Sequence, residues 1–277
     1  NFSRAIDHFI THVSSVVAQP VNWAGILDRN EYKELFRRFL ETPILESNCL
    51  ILEGPSGVGK TTLMGRFSDT AQAKGFLAIP IDRRTEKIAV EKFVNVLGNH
   101  LGAAQERNLK EKHSSIVENL REDWEEIGHE KLKIVYNNIC NFIDELSNDF
   151  RIVFLINDIE SLGVGFLDFL SYAIVSLRFA EAEVRFVLSS NNDISTEDES
   201  RRIIEDILGN THSTNCEVKP FDDQELWELL EEYFGSITLP DYEKERILDL
   251  TKGLPQHIKQ YLRHMVQAGA ISHATGK

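Results

Sequence analysis

Apolar residues recur at helical spacing near the start of the chain. Phe2, Ile6, Phe9, Ile10, Val13, Val16 and Val17 share one face of a helix over residues 2–18, which Pro20 ends. Asp28 is placed to cap a second helix, Arg29 to Leu40, with Tyr32, Leu35, Phe36 and Leu40 on one side and Pro43 closing it. The run Cys49–Leu52 predicts a buried strand, and the residues from Lys60 to Ala73 a helix. A second strand is predicted at Phe76–Ile81, followed by an amphipathic helix over 88–102. From 103 to 148 the chain is charged, helical in period and poor in Gly and Pro. That stretch predicts two or three exposed helices inserted into a minimal sheet domain.

Ile152–Ile156 is the most apolar strand candidate, continuous enough to be buried on both faces. A helix over 163–181, a strand at Val184–Leu188, a polar loop at Ser189–Asp193, a helix over 199–208 and a short strand near Cys216–Val218 complete the alternation. Strands alternating with helices predict a parallel sheet covered on both sides. From Asp222 onward the period is only helical, over 223–234, 241–251 and 255–268. The expected organisation is a helix in 1–21, an α/β domain in 22–221 with a helical insertion at about 103–148, and a small all-helical subdomain in 222–277.

Composition narrows the class. The chain has 277 residues, 42% hydrophobic and 27% charged, as in ordinary globular proteins. No apolar run approaches the ~20 residues of a membrane helix, so no membrane insertion is expected. The first residues carry charges and His among the apolar positions and do not read as a secretory signal. The chain begins with Asn1 rather than Met, so a piece of a longer protein is expected. Cys49, Cys140 and Cys216 are far apart and odd in number, which argues for reduced packing cysteines in a cytoplasmic protein. The histidines lack metal-ligand spacing. A net charge of −14 repels phosphate backbones and speaks against nucleic-acid binding through this segment.

One segment carries specific chemistry. Gly54-Pro55-Ser56-Gly57-Val58-Gly59-Lys60-Thr61 matches G-x-x-x-x-G-K-[ST] in full, between a predicted strand and a predicted helix. Glycines let the backbone curl so that successive N–H groups point inward at phosphate oxygens. The helix that follows turns its positive N-terminal end to the same anion. Lys60 is expected to reach the β- and γ-phosphates and the Thr61 hydroxyl to ligate Mg²⁺, with Thr62 beside it. ATP or ADP with Mg²⁺ is the expected cofactor.

Such a site needs a carboxylate at the end of a neighbouring strand. Ile152–Ile156 runs into Asn157-Asp158-Ile159-Glu160. Either Asn157 takes the metal position and Asp158 the catalytic one, or Asp158 serves the metal and Glu160 or water does the rest. Asn cannot supply the charge Mg²⁺ prefers, so binding with slow hydrolysis is expected. After Leu188, either Ser190 or Asn191 is the expected γ-phosphate sensor. Trp124 is expected to anchor packing in the charged insertion, and Trp227 to fill the core of the helical subdomain.

The order of these parts resembles the STAND class of signalling NTPases within the AAA+-like (ASCE) P-loop ATPases, over about residues 22–268. Gly25-Ile26-Leu27-Asp28-Arg29 is similar to the segment that leads into such domains, with Asp28 where Gly is usual. The resemblance implies that Ile26 and Leu27 lie near the adenine. Val218 to Leu226 is similar to the passage from sheet to helical lid, and Gly253-Leu254-Pro255 to the G-x-P motif whose Pro packs over base and sugar. Gln256 and His257 follow, so the sensor Arg of initiator-type AAA+ proteins is missing. Arg201 or Arg202 would serve as an arginine finger toward a neighbouring subunit. The resemblance thus implies a P-loop three-layer sandwich with a helical lid, and a slowly hydrolysing ATP switch that self-assembles or signals to a partner protein. The alternatives are a conventional AAA+ ATPase working with DNA, a nucleotide-holding scaffold without turnover, and, more distantly, a small-molecule kinase.

Overall fold

The strand candidates that carry apolar residues at every position can be satisfied only between two layers. That is where a computed structural model puts them. It describes residues 29–81, 93, 97, 129–191, 198–234 and 241–267. In chain order the described elements are α1 (Asn30–Glu41), β1 (Cys49–Glu53), α2 (Lys60–Ala73), β2 (Leu77–Ile81), α3 (His129–Ser147), β3 (Ile152–Ile156), α4 (Val164–Phe179), β4 (Val184–Ser190), α5 (Asp198–Leu208) and β5 (Ser213–Glu217). Three further helices follow: α6 (Asp223–Phe234), α7 (Asp241–Thr251) and α8 (Pro255–Gln267). By contact the chain divides into two units, one of residues 30–55 and 60–217, the other of 1–29, 56–59 and 218–277.

Among the described residues of the sheet unit, five parallel strands lie in the order β2-β3-β4-β1-β5. One face gathers Cys49, Ile51, Ile79, Ile81, Ile152, Phe154, Ile156, Val184, Phe186 and Leu188 into a single core with α3, α4 and α5. Side chains alternate along a strand, so Leu50, Leu52, Val153, Leu155 and Val187 turn to the other face. The helix α2 runs against β2, β3 and β4, and α1 packs on α2 through stacked rings of Phe36 and Phe67, 4.3 Å apart. Each fully buried side chain of this size contributes roughly 1.5–3 kcal/mol. Among the described residues β2 is an edge strand paired with β3 alone, which is where Pro80 is tolerated. Below the sheet, buried Arg185 of β4 donates to the Thr42 carbonyl at 2.7 Å and lies over Phe39, tying the α1–β1 connection to the sheet.

Four expectations change. The second strand begins at Leu77, and β4 continues through Ser189 and Ser190, which are buried as its last residues and are not part of a loop. The last strand is Ser213–Glu217, earlier than the segment near Cys216–Val218, because an edge strand needs little apolar surface. The charged stretch predicted as exposed ends in α3, which buries Tyr136, Ile139, Cys140, Phe142, Ile143 and Leu146 in the main core. The expectations for 2–18, for most of 88–102, for 103–128 with Trp124, and for Asp28 as a cap lie outside the described residues.

In the helical unit, Phe221, Leu226, Leu229, Leu230, Ile247, Ile258 and Leu262 form one small core, with Trp227 partly buried against it under the Lys244 ammonium. Asp222 caps α6 reciprocally: its carboxylate accepts from the Glu225 N–H at 2.8 Å, and Glu225 accepts from the Asp222 N–H at 3.2 Å. Arg29 donates to the same Glu225 at 2.8 Å and to the Lys219 carbonyl at 2.7 Å, with its guanidinium over the Phe221 ring.

Candidate nucleotide site

Three strand ends meet at the carboxyl edge of the sheet, the side on which parallel α/β sheets bind ligands. Glu53 at the end of β1 pairs in register with Ser190 at the end of β4, and β3 runs on the other side of β4. Their continuations within the sheet unit are therefore neighbours: Gly54 and Pro55 after β1, Asn157–Glu160 after β3, and Asn191 after β4.

The loop has the backbone that its sequence requires. Gly57 and Gly59 adopt φ of +82° and +106°, which residues with a Cβ rarely adopt. A Cβ at Gly59 would meet nothing within 4 Å, so the loop leaves open space there. Val58 is buried, Ser56 is exposed, and Pro55, Gly57 and Gly59 are half-buried. Lys60 opens α2 and is 5% exposed. Its ammonium donates to the Gly54 carbonyl at 2.6 Å, the Pro55 carbonyl at 3.1 Å and Asn191 Oδ1 at 2.8 Å. Burial pushes the Lys60 pKa down, and the Asp158 and Glu160 carboxylates pull against that shift. In the same first turn, Thr61 is exposed and Thr62 half-buried.

The acidic segment is held by the end of β4. The Asp158 N–H donates to Ser189 Oγ at 2.8 Å, and Asp158 itself sits in the left-handed region with φ 51°. A short 3₁₀ turn, Ile159–Ser161, then brings Glu160 to the end of β4. Its carboxylate accepts from Ser190 Oγ and from the Asn191 N–H, each at 2.5 Å, and more loosely from Asn191 Nδ2 at 3.5 Å. Ser190 and Asn191 thus both contact Glu160, and Asn191 alone also contacts Lys60. Sequence reasoning placed Ser189 in a polar loop and chose between Ser190 and Asn191, whereas Ser189 lies within β4 and holds the Asp158 N–H.

Asn157 donates its backbone N–H to the Ile81 carbonyl at 3.3 Å, while its buried Oδ1 has no hydrogen-bond partner. An acceptor left so costs about 1–3 kcal/mol. A water or hydrated cation beside it would remove that cost, so the residues here fit a cation. Among the described residues no group of three or more His, Cys, Asp and Glu side chains is placed to hold a metal ion.

Within the helical unit, Pro255 is buried and opens α8, and the Gln256 N–H donates to the Gly57 carbonyl at 3.2 Å. Gln256 therefore stands against the tip of the loop. Arg201 and Arg202 are exposed on α5, where Arg201 pairs with Glu205 at 2.9 Å. Ile26 and Leu27 lie outside the described residues.

Residues 41–261 match the family ATPase_2, described as an ATPase domain predominantly from Archaea. No curated protein matches the chain. Among solved structures it is similar to Cdc6p from Pyrobaculum aerophilum, with a TM-score of 0.54 and 14% identity over 95% of this chain and 66% of that one. It is also similar to the ORC2 protein of Aeropyrum pernix, solved as ADPNP and ADP complexes, at 0.53 and 12% over 88% and 64%. A Walker-type ATPase of Pyrococcus abyssi aligns at 0.52 and 16% over 92% and 71%. The chain therefore spans about two thirds of each of these proteins. The likeness shows the fold, an α/β P-loop NTPase sandwich with a parallel sheet.

Proposed function

Because the chain belongs to the family of ATPase domains found predominantly in Archaea, we propose that it is an ATP-binding switch of the STAND type that hydrolyses its nucleotide slowly. One observation carries this reading. The buried Lys60 ammonium stands at the root of a loop with two left-handed glycines, within hydrogen-bond reach of a residue that also holds an acidic side chain. In this reading Gly54–Thr62 takes the phosphates, with inward N–H groups, the N-terminus of α2 and Lys60 sharing their charge. The Thr61 hydroxyl and Asp158 would hold Mg²⁺, which supplies charge neutralisation between the β- and γ-phosphates.

Glu160 is the candidate base that orients the attacking water, and Ser190 and Asn191 keep its carboxylate in place. The neutral Asn157, where a metal-binding carboxylate is usual, supports slow turnover. Pro255 and Gln256, whose unit includes the loop tip, support a helical lid that reads nucleotide state. A lid that differs between ATP and ADP would bias self-assembly or binding to a partner protein. Ile26 and Leu27 near the base, and Arg201 or Arg202 as a finger from a second copy, belong to the same proposal.

The test is direct titration with a fluorescent ATP analogue, beside phosphate release and particle mass in ATP and in ADP. Lys60→Ala is expected to weaken binding about 10- to 100-fold, the worth of a hydrogen bond to a charged group. Equal affinity for wild type and variant would end the reading. Fast hydrolysis stimulated by DNA would instead favour an ATPase working with nucleic acid, and retained ATP without phosphate release a scaffold.

A further inference from the structure

An ammonium carries three N–H donors. In the sheet unit all three donors of Lys60 have acceptors: the carbonyls of Gly54 and Pro55, and Asn191 Oδ1. A phosphate oxygen therefore gains Lys60 only by displacing one of them. The two carbonyls belong to the loop that leads into Lys60 and move with it. Asn191 follows a different strand, 131 residues further along the chain, and offers the one side-chain acceptor of the three. Its other groups are not idle. Its backbone N–H and, more loosely, its Nδ2 reach the Glu160 carboxylate, so this amide joins the loop lysine to the acidic segment.

We infer that Asn191 is a positioning residue that competes with nucleotide phosphate for Lys60 and so sets how tightly the site holds its ligand. This rests on the nucleotide-binding reading of the phosphate loop and adds a sign to it. A residue that only senses the γ-phosphate strengthens binding or leaves it alone. A residue that holds the lysine back weakens binding, and its removal tightens it. The effect extends to a diphosphate, because the competition concerns the ammonium and not the third phosphate.

The experiment uses the whole chain and a fluorescent ADP derivative, so that no turnover intrudes. Asn191→Ala removes the acceptor and is expected to bind ADP about 10- to 100-fold more tightly than wild type, the range of one hydrogen bond to a charged group. Asn191→Asp replaces the amide acceptor by a carboxylate that grips the ammonium more strongly. It is expected to bind ADP more weakly than wild type. If Asn191→Ala does not give a cooperative melting transition, Asn191→Leu, similar in size and without an acceptor, carries the same expectation. Wild-type affinity or a loss in the acceptor-free variant overturns the inference, as does a gain in Asn191→Asp. Wild-type protein that binds no ADP instead overturns the nucleotide reading itself, so the two failures are told apart.

Discussion

At the scale of single residues, the phosphate loop was the most legible part of the chain, because its chemistry depends on types at fixed spacing. Gly57 and Gly59 take left-handed backbone, and Lys60 opens α2. The acidic segment was harder to read. Sequence order left Asp158 and Glu160 as alternatives, and only the 3₁₀ turn after β3 brings Glu160 onto Ser190 and Asn191. Glu160→Gln is expected to keep nucleotide affinity within about threefold and to lower phosphate release on the order of 10²-fold, the low end for a positioned base. A rate within twofold of wild type in single-turnover release would remove Glu160 from that role. Asn157→Asp places a charge at the position of the unpartnered Oδ1. Phosphate release at saturating Mg·ATP is expected to rise several-fold, and an unchanged or lower rate would count against a metal-side role for Asn157.

At the scale of elements, the buried strands and most helices were legible because burial on two faces leaves a continuous apolar run. Two elements were misjudged for opposite reasons. The edge strand β5 has little apolar content, since half of its neighbours are solvent. The helix α3 lies at the end of a charged stretch, and the charges around it concealed a face that enters the main core. Packing at this scale predicts large effects. Phe36 is 0% exposed, stacked on Phe67, and joins α1 to α2. Phe36→Ala is expected to cost about 3–5 kcal/mol in urea unfolding of the sheet unit. Gly253 precedes α8 at φ +66°, and a Cβ there would lie 2.5 Å from the Phe221 carbonyl oxygen. The Phe221 N–H in turn donates to the Gly253 carbonyl at 2.7 Å. Gly253→Ala is therefore expected to destabilise the helical unit, read as earlier amide exchange in α6 to α8 than in wild type.

At the scale of the whole molecule, buried thiols tie stability to pH. Burial pushes Cys49 and Cys140 up from their ordinary 9.0 to about 12, and Cys216 to about 11. Below about 9 each thiol is neutral whether the chain is folded or not. Above that, the unfolded chain loses its thiol protons first and binds fewer of them than the folded one. Stability therefore falls as pH rises from about 9 toward 12. The urea midpoint is expected to drop between pH 8 and pH 10, and the drop to be smaller in Cys49→Ala.

The two rims of the sheet bear on how copies of the chain can join. One rim strand carries Pro80, which has no amide hydrogen to offer, and the other is short and polar. Neither is a good template for a strand from outside. Among the described residues the sheet thus offers no rim suited to hydrogen bonding between copies, and a ring or filament joined through charged helices and loops would loosen as salt is raised.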